Sequence, residues 1–152
     1  LFEIQPFRLV YSSSVGGDID YYDYTNCYNF INNIIRVCSK YNINIVIKRK
    51  RAIGKIIDQK YSNYINNLLK NNSNIFLIHN EYLIDDLINN SLLSISMPYT
   101  SAAYLSKFLN KPSIFYDSSG KLEKEDNLSK DIICINDIQK LEMYINSIVR
   151  WN

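Results

Sequence analysis

The sequence predicts an α/β domain, because short apolar runs alternate with segments that have the period of an amphipathic helix. The apolar runs show little alternation of polar and apolar residues, as in strands that are buried on both faces of a parallel sheet. No linker or internal repeat divides the 152 residues, a length typical of one domain. The prediction is therefore a single Rossmann-like domain over residues 1–152, with a mostly parallel sheet of about six strands and helices on both faces.

Apolar runs form the predicted strands. In chain order they cover residues 7–11, 43–47, 75–78, 92–97, 113–116 and 132–135. The first run ends at a Ser- and Gly-rich segment, residues 12–17, which predicts a loop. Pro98 stops the fourth run, because proline donates no backbone hydrogen bond to a sheet.

Helical periodicity fills the intervals between these runs. The inward residues expected of the first two helices are Cys27, Ile31, Ile34, Cys38 and Tyr41, then Tyr61, Tyr64, Ile65, Leu68 and Leu69. Those expected of the last three are Leu83, Ile84, Leu87 and Ile88, then Leu105, Phe108 and Leu109, and finally Ile138, Leu141, Ile145 and Ile148. Thr100 or Ser101 is expected to cap the fourth helix.

Composition excludes several classes of protein. Hydrophobic residues are 47% and charged residues 21%, as in soluble globular proteins, and Asn, Ser, Thr and Pro interrupt the longest uncharged run, so no transmembrane helix is predicted. The three cysteines are odd in number and lack CxxC spacing, which argues against a zinc site or a disulfide framework and favours a reducing, cytoplasmic location. No metal and no cofactor is expected. The chain begins at Leu1, which predicts a fragment of a larger, two-domain protein.

Ligands of such sheets bind beyond the carboxyl ends of the strands. The candidate ligand-binding residues all follow predicted strand ends. They are Lys48, Lys50, Arg51, His79, Pro98, Thr100, Ser101, Ala102, Tyr116 and Asp117. No catalytic residue is predicted.

The second strand leads into a cluster of cations, with five Lys and Arg side chains in residues 48–55 of a chain whose net charge is +2. At a strand end, one or two of them could pair with a phosphate. A solvated loop and a nucleic-acid groove are the alternatives, and the second is weaker because there is no other basic patch.

Three other turns allow two interpretations each. Thr100 and Ser101 begin a helix whose free N–H groups suit an anion, or they are ordinary caps. His79 is a crevice residue or a structural histidine. Asp117 accepts from a sugar hydroxyl or forms an Asx turn with Ser119 and Gly120. The chain has no P-loop, GxGxxG or GxSxG motif.

Two segments resemble a known family. Residues 94–101 read Ser-Ile-Ser-Met-Pro-Tyr-Thr-Ser, and residues 111–117 read Lys-Pro-Ser-Ile-Phe-Tyr-Asp. They are similar to the Pro-Phe-Thr-Ser and Gly-Lys-Pro-Ser-Ile-Tyr-Tyr-Asp segments of bacterial surface-polysaccharide biosynthesis proteins, which resemble glycosyltransferases of the GT-B architecture. Tyr99 stands in place of Phe, Asn110 in place of Gly, and Phe115 in place of the first Tyr.

The resemblance implies a donor-binding domain of a glycosyltransferase. Thr100 and Ser101, with the N–H groups of Ala102 and Ala103, would contact the phosphate of a nucleotide-sugar donor. From their position, Lys48 and Lys50 would be a second phosphate contact. The saccharide acceptor and its general base would belong to a missing N-terminal domain, and the full-length protein is expected to associate peripherally with a membrane. A non-catalytic module of the same fold, binding a phosphorylated ligand or a partner protein, is the alternative; nucleic acid is not an expected partner.

Overall fold

The computed structural model describes residues 1–3, 6, 23–49, 58–78, 81–121 and 131–150 of the chain. Strands and helices alternate in these ranges. In chain order they are β1 (Phe2–Glu3), α1 (Tyr24–Lys40), β2 (Ile45–Arg49), α2 (Gln59–Asn71), β3 (Ile75–Ile78), α3 (Ile84–Asn89), β4 (Ser94–Ser96), α4 (Ser101–Phe108), β5 (Ser113–Tyr116), β6 (Ile133–Ile135) and α5 (Ile138–Arg150).

The described strands pair in parallel, in the order β3-β2-β1-β4-β5-β6. Phe2 of β1 lies opposite Lys48 of β2 on one side and Ser96 of β4 on the other. The prediction of an α/β fold with parallel strands is confirmed. From β1 to β3 the chain adds strands towards one edge of the sheet, and from β4 to β6 it adds them towards the other edge. The strand order therefore reverses between β1 and β4, and sheets of this kind bind ligands at such a reversal.

Helices cover both faces of the sheet, as β5 shows. Ile114 and Tyr116 belong to the main core with α1 and α5, whereas Phe115 packs against Ala103 of α4 in a second cluster. Successive side chains of a strand point to opposite faces, so α4 lies on the face away from α1 and α5. Among the described ranges, every helix is too short or too polar to serve as a membrane span.

The longest helix, α1, follows directly from its sequence. The Asp23 carboxylate caps it by accepting from the N–H of Asn26 at 2.6 Å. Four of the five residues of the predicted stripe are buried, namely Cys27, Ile31, Ile34 and Cys38, and Tyr41 is partly buried. Neither cysteine is in a disulfide. Burial raises the pKa of the Cys38 thiol to about 11, so this thiol stays protonated and packs as a small apolar side chain.

The structure changes the prediction at two strands. The strand predicted at residues 7–11 and the loop at 12–17 lie outside the described residues, and β1 is the short segment Phe2–Glu3, which periodicity did not reveal. The second strand extends to Arg49, so Lys48 is a strand residue rather than part of a turn. A buried lysine within an apolar strand does not show in a hydropathy pattern.

Two inward assignments are wrong. Phe108 is 82% exposed, because α4 contacts the sheet through small side chains, chiefly Ala102, Ala103 and Ser106, which allow a close approach. Leu83 is 68% exposed, since α3 begins only after it, at Ile84. Both errors come from extending a helical period to residues at or beyond the end of a short helix.

Candidate functional site

A cavity of about 340 Å³ opens at the carboxyl ends of the central strands, beside the reversal between β1 and β4. Its volume is at the lower end of the range for small-molecule sites. The lining comes from β1, β2, the segment before α3 and the start of α4. It consists of Phe2, Lys48, Arg49, Glu81, Tyr82, Leu83, Ile84, Thr100, Ser101 and Ala102.

Lys48 is a largely buried lysine that lines this cavity. It is opposite Phe2 in the sheet register, so both side chains point to the α4 face, and only 9% of Lys48 is exposed. Burial lowers the pKa of the Lys48 ammonium, because removing a charge from water disfavours the charged form. A bound anion would reverse this effect, so Lys48 favours an anionic ligand.

The segment between β4 and α4 is a tight turn. Pro98 occupies its second position and Tyr99 its third, with a φ of 61° at Tyr99; a proline followed by a residue with positive φ is typical of a type II turn. The Thr100 hydroxyl donates to the carbonyl oxygen of Met97 at 3.0 Å and closes the turn. The Tyr99 ring packs on Phe115, with 5.9 Å between ring centroids.

The same turn presents the N-terminus of α4 to the cavity. Thr100 is the N-cap residue, but its side chain makes no capping hydrogen bond within the described residues, since the hydroxyl serves the turn. No residue in the first turn of α4 is acidic. The N–H of Ala103 donates to the Thr100 carbonyl oxygen at 3.3 Å, and the N–H groups that precede it lie at the positive end of the helix dipole. This end of α4 therefore complements a negative charge.

Exposed residues form the mouth of the cavity. Glu81 contributes a carboxylate, and Tyr82 and Leu83 contribute large apolar surfaces that are 62% and 68% exposed. Six lining residues were not among the predicted site residues, namely Phe2, Arg49, Glu81, Tyr82, Leu83 and Ile84. For Glu81 and Tyr82 a signal existed, because they follow the carboxyl end of β3 within a few residues. For Phe2 there was none.

Four of the predicted site residues line this cavity, namely Lys48, Thr100, Ser101 and Ala102. Pro98 is buried in the adjoining turn. Lys50, Arg51 and His79 lie outside the described residues.

Tyr116 and Asp117 are engaged elsewhere. The Tyr116 hydroxyl accepts from the Asn33 amide at 2.8 Å, and the ring stacks on Phe30 in the main core. Burial raises the pKa of Tyr116. The Asp117 carboxylate accepts from the Ser119 N–H at 3.0 Å and from the Ser119 hydroxyl at 2.6 Å, which is the Asx-turn interpretation. The structure does not bring either side chain to the cavity.

Metal-ligating side chains are scattered in the described part of the chain: no three His, Cys, Asp or Glu residues there lie close enough together to hold a metal ion. What the cavity offers instead is the Lys48 ammonium, the N-terminus of α4 and the Ser101 hydroxyl. Groups of this kind complement the charge of an anion.

The fold and this cavity define an α/β protein suited to a small anionic ligand. A family model described as "Polysaccharide biosynthesis PFTS motif protein" matches residues 1–145. The chain belongs to this family of polysaccharide biosynthesis proteins, as the resemblance predicted. No curated protein and no solved structure matches the chain.

Proposed function

We propose that this chain is the donor-binding domain of a glycosyltransferase in surface polysaccharide biosynthesis, with a Rossmann-like sheet that forms one half of a GT-B enzyme. The donor is a nucleotide sugar, and its diphosphate binds in the cavity. One observation carries the proposal: buried Lys48 and the N-terminus of α4 line the same cavity at the carboxyl ends of the central strands.

Membership of the family supports the biological setting, and the turn before α4 supports the site. Pro98, Tyr99, Thr100 and Ser101 correspond in this proposal to the Pro-Phe-Thr-Ser motif after which the family is described. Pro98 and the left-handed Tyr99 shape the turn, and the Thr100 hydroxyl closes it. The Ser101 hydroxyl and the N–H groups of Ser101 and Ala102 then contact the phosphate.

Charge development in sugar transfer explains why such a site would be useful. As the bond between sugar and diphosphate breaks, negative charge accumulates on the departing nucleotide. Lys48 and the α4 dipole are in place before this happens, so they stabilise the transition state without reorganisation. The general base that activates the acceptor belongs to another domain in this proposal.

Burial of Lys48 favours a small phosphorylated ligand over nucleic acid. A nucleic-acid backbone requires cations on an open surface, whereas Lys48 is reached through a cavity. Of the basic cluster, the described part of the chain contains only Lys48 and Arg49, and both line this cavity.

Calorimetric titration with nucleoside diphosphates and with pyrophosphate tests the proposal, together with the variant Ser101→Ala. We expect Ser101→Ala to weaken binding about fivefold, because one hydrogen bond to a charged group is lost. Stability should change by less than about 0.5 kcal/mol, since Ser101 is inside the helix and alanine is a strong helix former.

Ser39→Ala is the matched control, because Ser39 is an exposed serine of α1 away from the cavity. It should leave binding unchanged. Absence of binding of any nucleoside diphosphate and of pyrophosphate at millimolar concentration would refute the proposal.

A further inference from the structure

The cavity mouth contains features that a diphosphate alone does not explain. Tyr82 and Leu83 expose most of their surface there, although burial of such side chains is worth roughly 25 cal/mol for each Å² of apolar surface removed from water. A phosphate or a sugar hydroxyl cannot cover them favourably. An apolar, flat group on the same ligand could.

We infer that the nucleobase of the donor packs on Tyr82 and Leu83 at the mouth, while its diphosphate lies deeper, at Lys48 and the N-terminus of α4. This inference rests on the proposed function and adds the orientation of the ligand. Every nucleobase has a π-face, and stacking on an aromatic side chain is a general way to hold it.

The distribution of charge supports this orientation. Lys48 and Ala102 are the largely buried residues of the lining, whereas Glu81 is exposed. An anion is attracted inward and repelled at the mouth. Glu81 instead suits the neutral end of a nucleotide, because a carboxylate accepts hydrogen bonds from ribose hydroxyls or from base N–H groups.

The apolar part of the lining continues inward from the mouth. Ile84 and Phe2 also line the cavity, and Phe2 shares its sheet face with Lys48. A nucleobase on Tyr82 would therefore meet further apolar surface towards the sheet, next to the site of the phosphates. Phe2 provides this surface without contributing to charge recognition.

The experiment compares affinities for pyrophosphate and for uridine, cytidine, guanosine and adenosine diphosphates. We expect at least one nucleoside diphosphate to bind tenfold or more tightly than pyrophosphate. Tyr82→Ala should remove roughly tenfold of that nucleotide affinity and leave the pyrophosphate affinity unchanged. Tyr82→Phe should retain nucleotide affinity, because the ring does the stacking.

Phe108→Ala is the matched control, an exposed aromatic residue at the far end of α4, and it should change neither affinity. Equal affinities for pyrophosphate and every nucleoside diphosphate would overturn the inference while leaving the phosphate site intact. Tighter binding of geranyl diphosphate than of any nucleotide would also overturn it, since the apolar subsite would then fit an isoprenoid chain. No binding of any probe would remove the inference and the proposed function together.

Discussion

Two turns at the same edge of the sheet follow neighbouring strands, and they differ in how their polar groups are used. The turn after β4 brings a helix N-terminus and Ser101 to a cavity. The turn after β5 contains the polar residues Asp117, Ser118 and Ser119, which sequence reasoning could equally assign to a ligand. The two turns differ in the local hydrogen bonds that their polar groups make.

In the β5 turn, the polar groups bind one another or the neighbouring helix. Asp117 accepts from Ser119, and the Ser118 hydroxyl donates to the Asn26 carbonyl oxygen at 3.0 Å. Gly120 supplies the positive φ, 66°, that the turn needs. These bonds hold β5 to α1 and leave Asp117 fully buried.

In the β4 turn, the Thr100 hydroxyl is used locally, as the donor to the Met97 carbonyl oxygen. The helix that follows lacks a side-chain cap from Thr100 within the described residues, and its first two residues, Ser101 and Ala102, line the cavity. A polar residue after a strand is therefore a candidate ligand contact only where its side chain is not already used in local hydrogen bonds.

The largest expected effect comes from Asp117→Ala. The change removes two hydrogen bonds to a buried carboxylate, and the N–H and the hydroxyl of Ser119 lose this acceptor. The free energy of unfolding should therefore fall by about 2–3 kcal/mol. Urea unfolding followed by circular dichroism measures this. Nucleotide affinity of the folded protein should not change.

Asp117→Asn keeps one carbonyl oxygen as acceptor and should lose clearly less stability than the alanine variant. If either variant reduced nucleotide affinity tenfold while remaining folded, Asp117 would contact the ligand and the contrast between the two turns would fail.

Lys48→Met should show the opposite pattern. Methionine keeps much of the apolar stem but removes the charge, so nucleotide affinity should fall tenfold or more, as expected for loss of a charge-assisted contact to phosphate. Stability should stay within about 1 kcal/mol of the parent, because methionine is close to the lysine stem in length and packing. A loss of stability with unchanged affinity would make Lys48 a structural residue.

The pH dependence of Lys48 gives a second readout. Its pKa in the folded state is below the usual 10.5, so the unfolded state binds more protons between the two values and stability rises with pH in that window. Nucleotide affinity should fall over the same window, since the anion needs the protonated lysine. The slope of stability with pH and the slope of affinity with pH should both be present in the parent, and both should be absent from Lys48→Met.

Sequence periodicity predicted most of the fold because most elements bury one clear apolar face. Helix α1 and strand β3 are where the pattern placed them, within a few residues. Strand β1, which lies between β2 and β4 in the sheet, was missed because a strand of two residues is too short to show a hydrophobic period. Its place in the sheet depends on long-range pairing, which a local pattern does not record.

The candidate site was predicted only in part for a related reason. Thr100, Ser101 and Lys48 follow or end strands, so topology places them together. Tyr116 and Asp117 were predicted in the same crevice but do not line the cavity. Two features that the sequence does not show decide this: the direction of the Tyr116 side chain and the local hydrogen bonds of Asp117. Alternation in β5 turns Tyr116 to the α1 face, and the sequence alone does not show which face of a buried strand is which.

The smallest expected effect concerns the other end of α4, where Asn110 also has a positive φ, 55°. Asn110 follows the C-cap residue Leu109, and the N–H of Lys111 donates back to the Ser106 carbonyl oxygen at 2.9 Å. Glycine is the preferred residue at such a position, so Asn110→Gly should raise the free energy of unfolding by about 0.5 kcal/mol and Asn110→Ala should lower it by about 1 kcal/mol.

Neither Asn110 variant should alter nucleotide affinity, measured by the same titration, because this turn lines no part of the cavity. Tyr99 and Asn110 therefore share a left-handed backbone at opposite ends of one helix, but only Tyr99 adjoins the site. A change in affinity on Asn110→Gly would show that the position of α4 is coupled to its C-terminal turn. Unchanged affinity would show that the C-terminal turn of α4 is independent of the cavity.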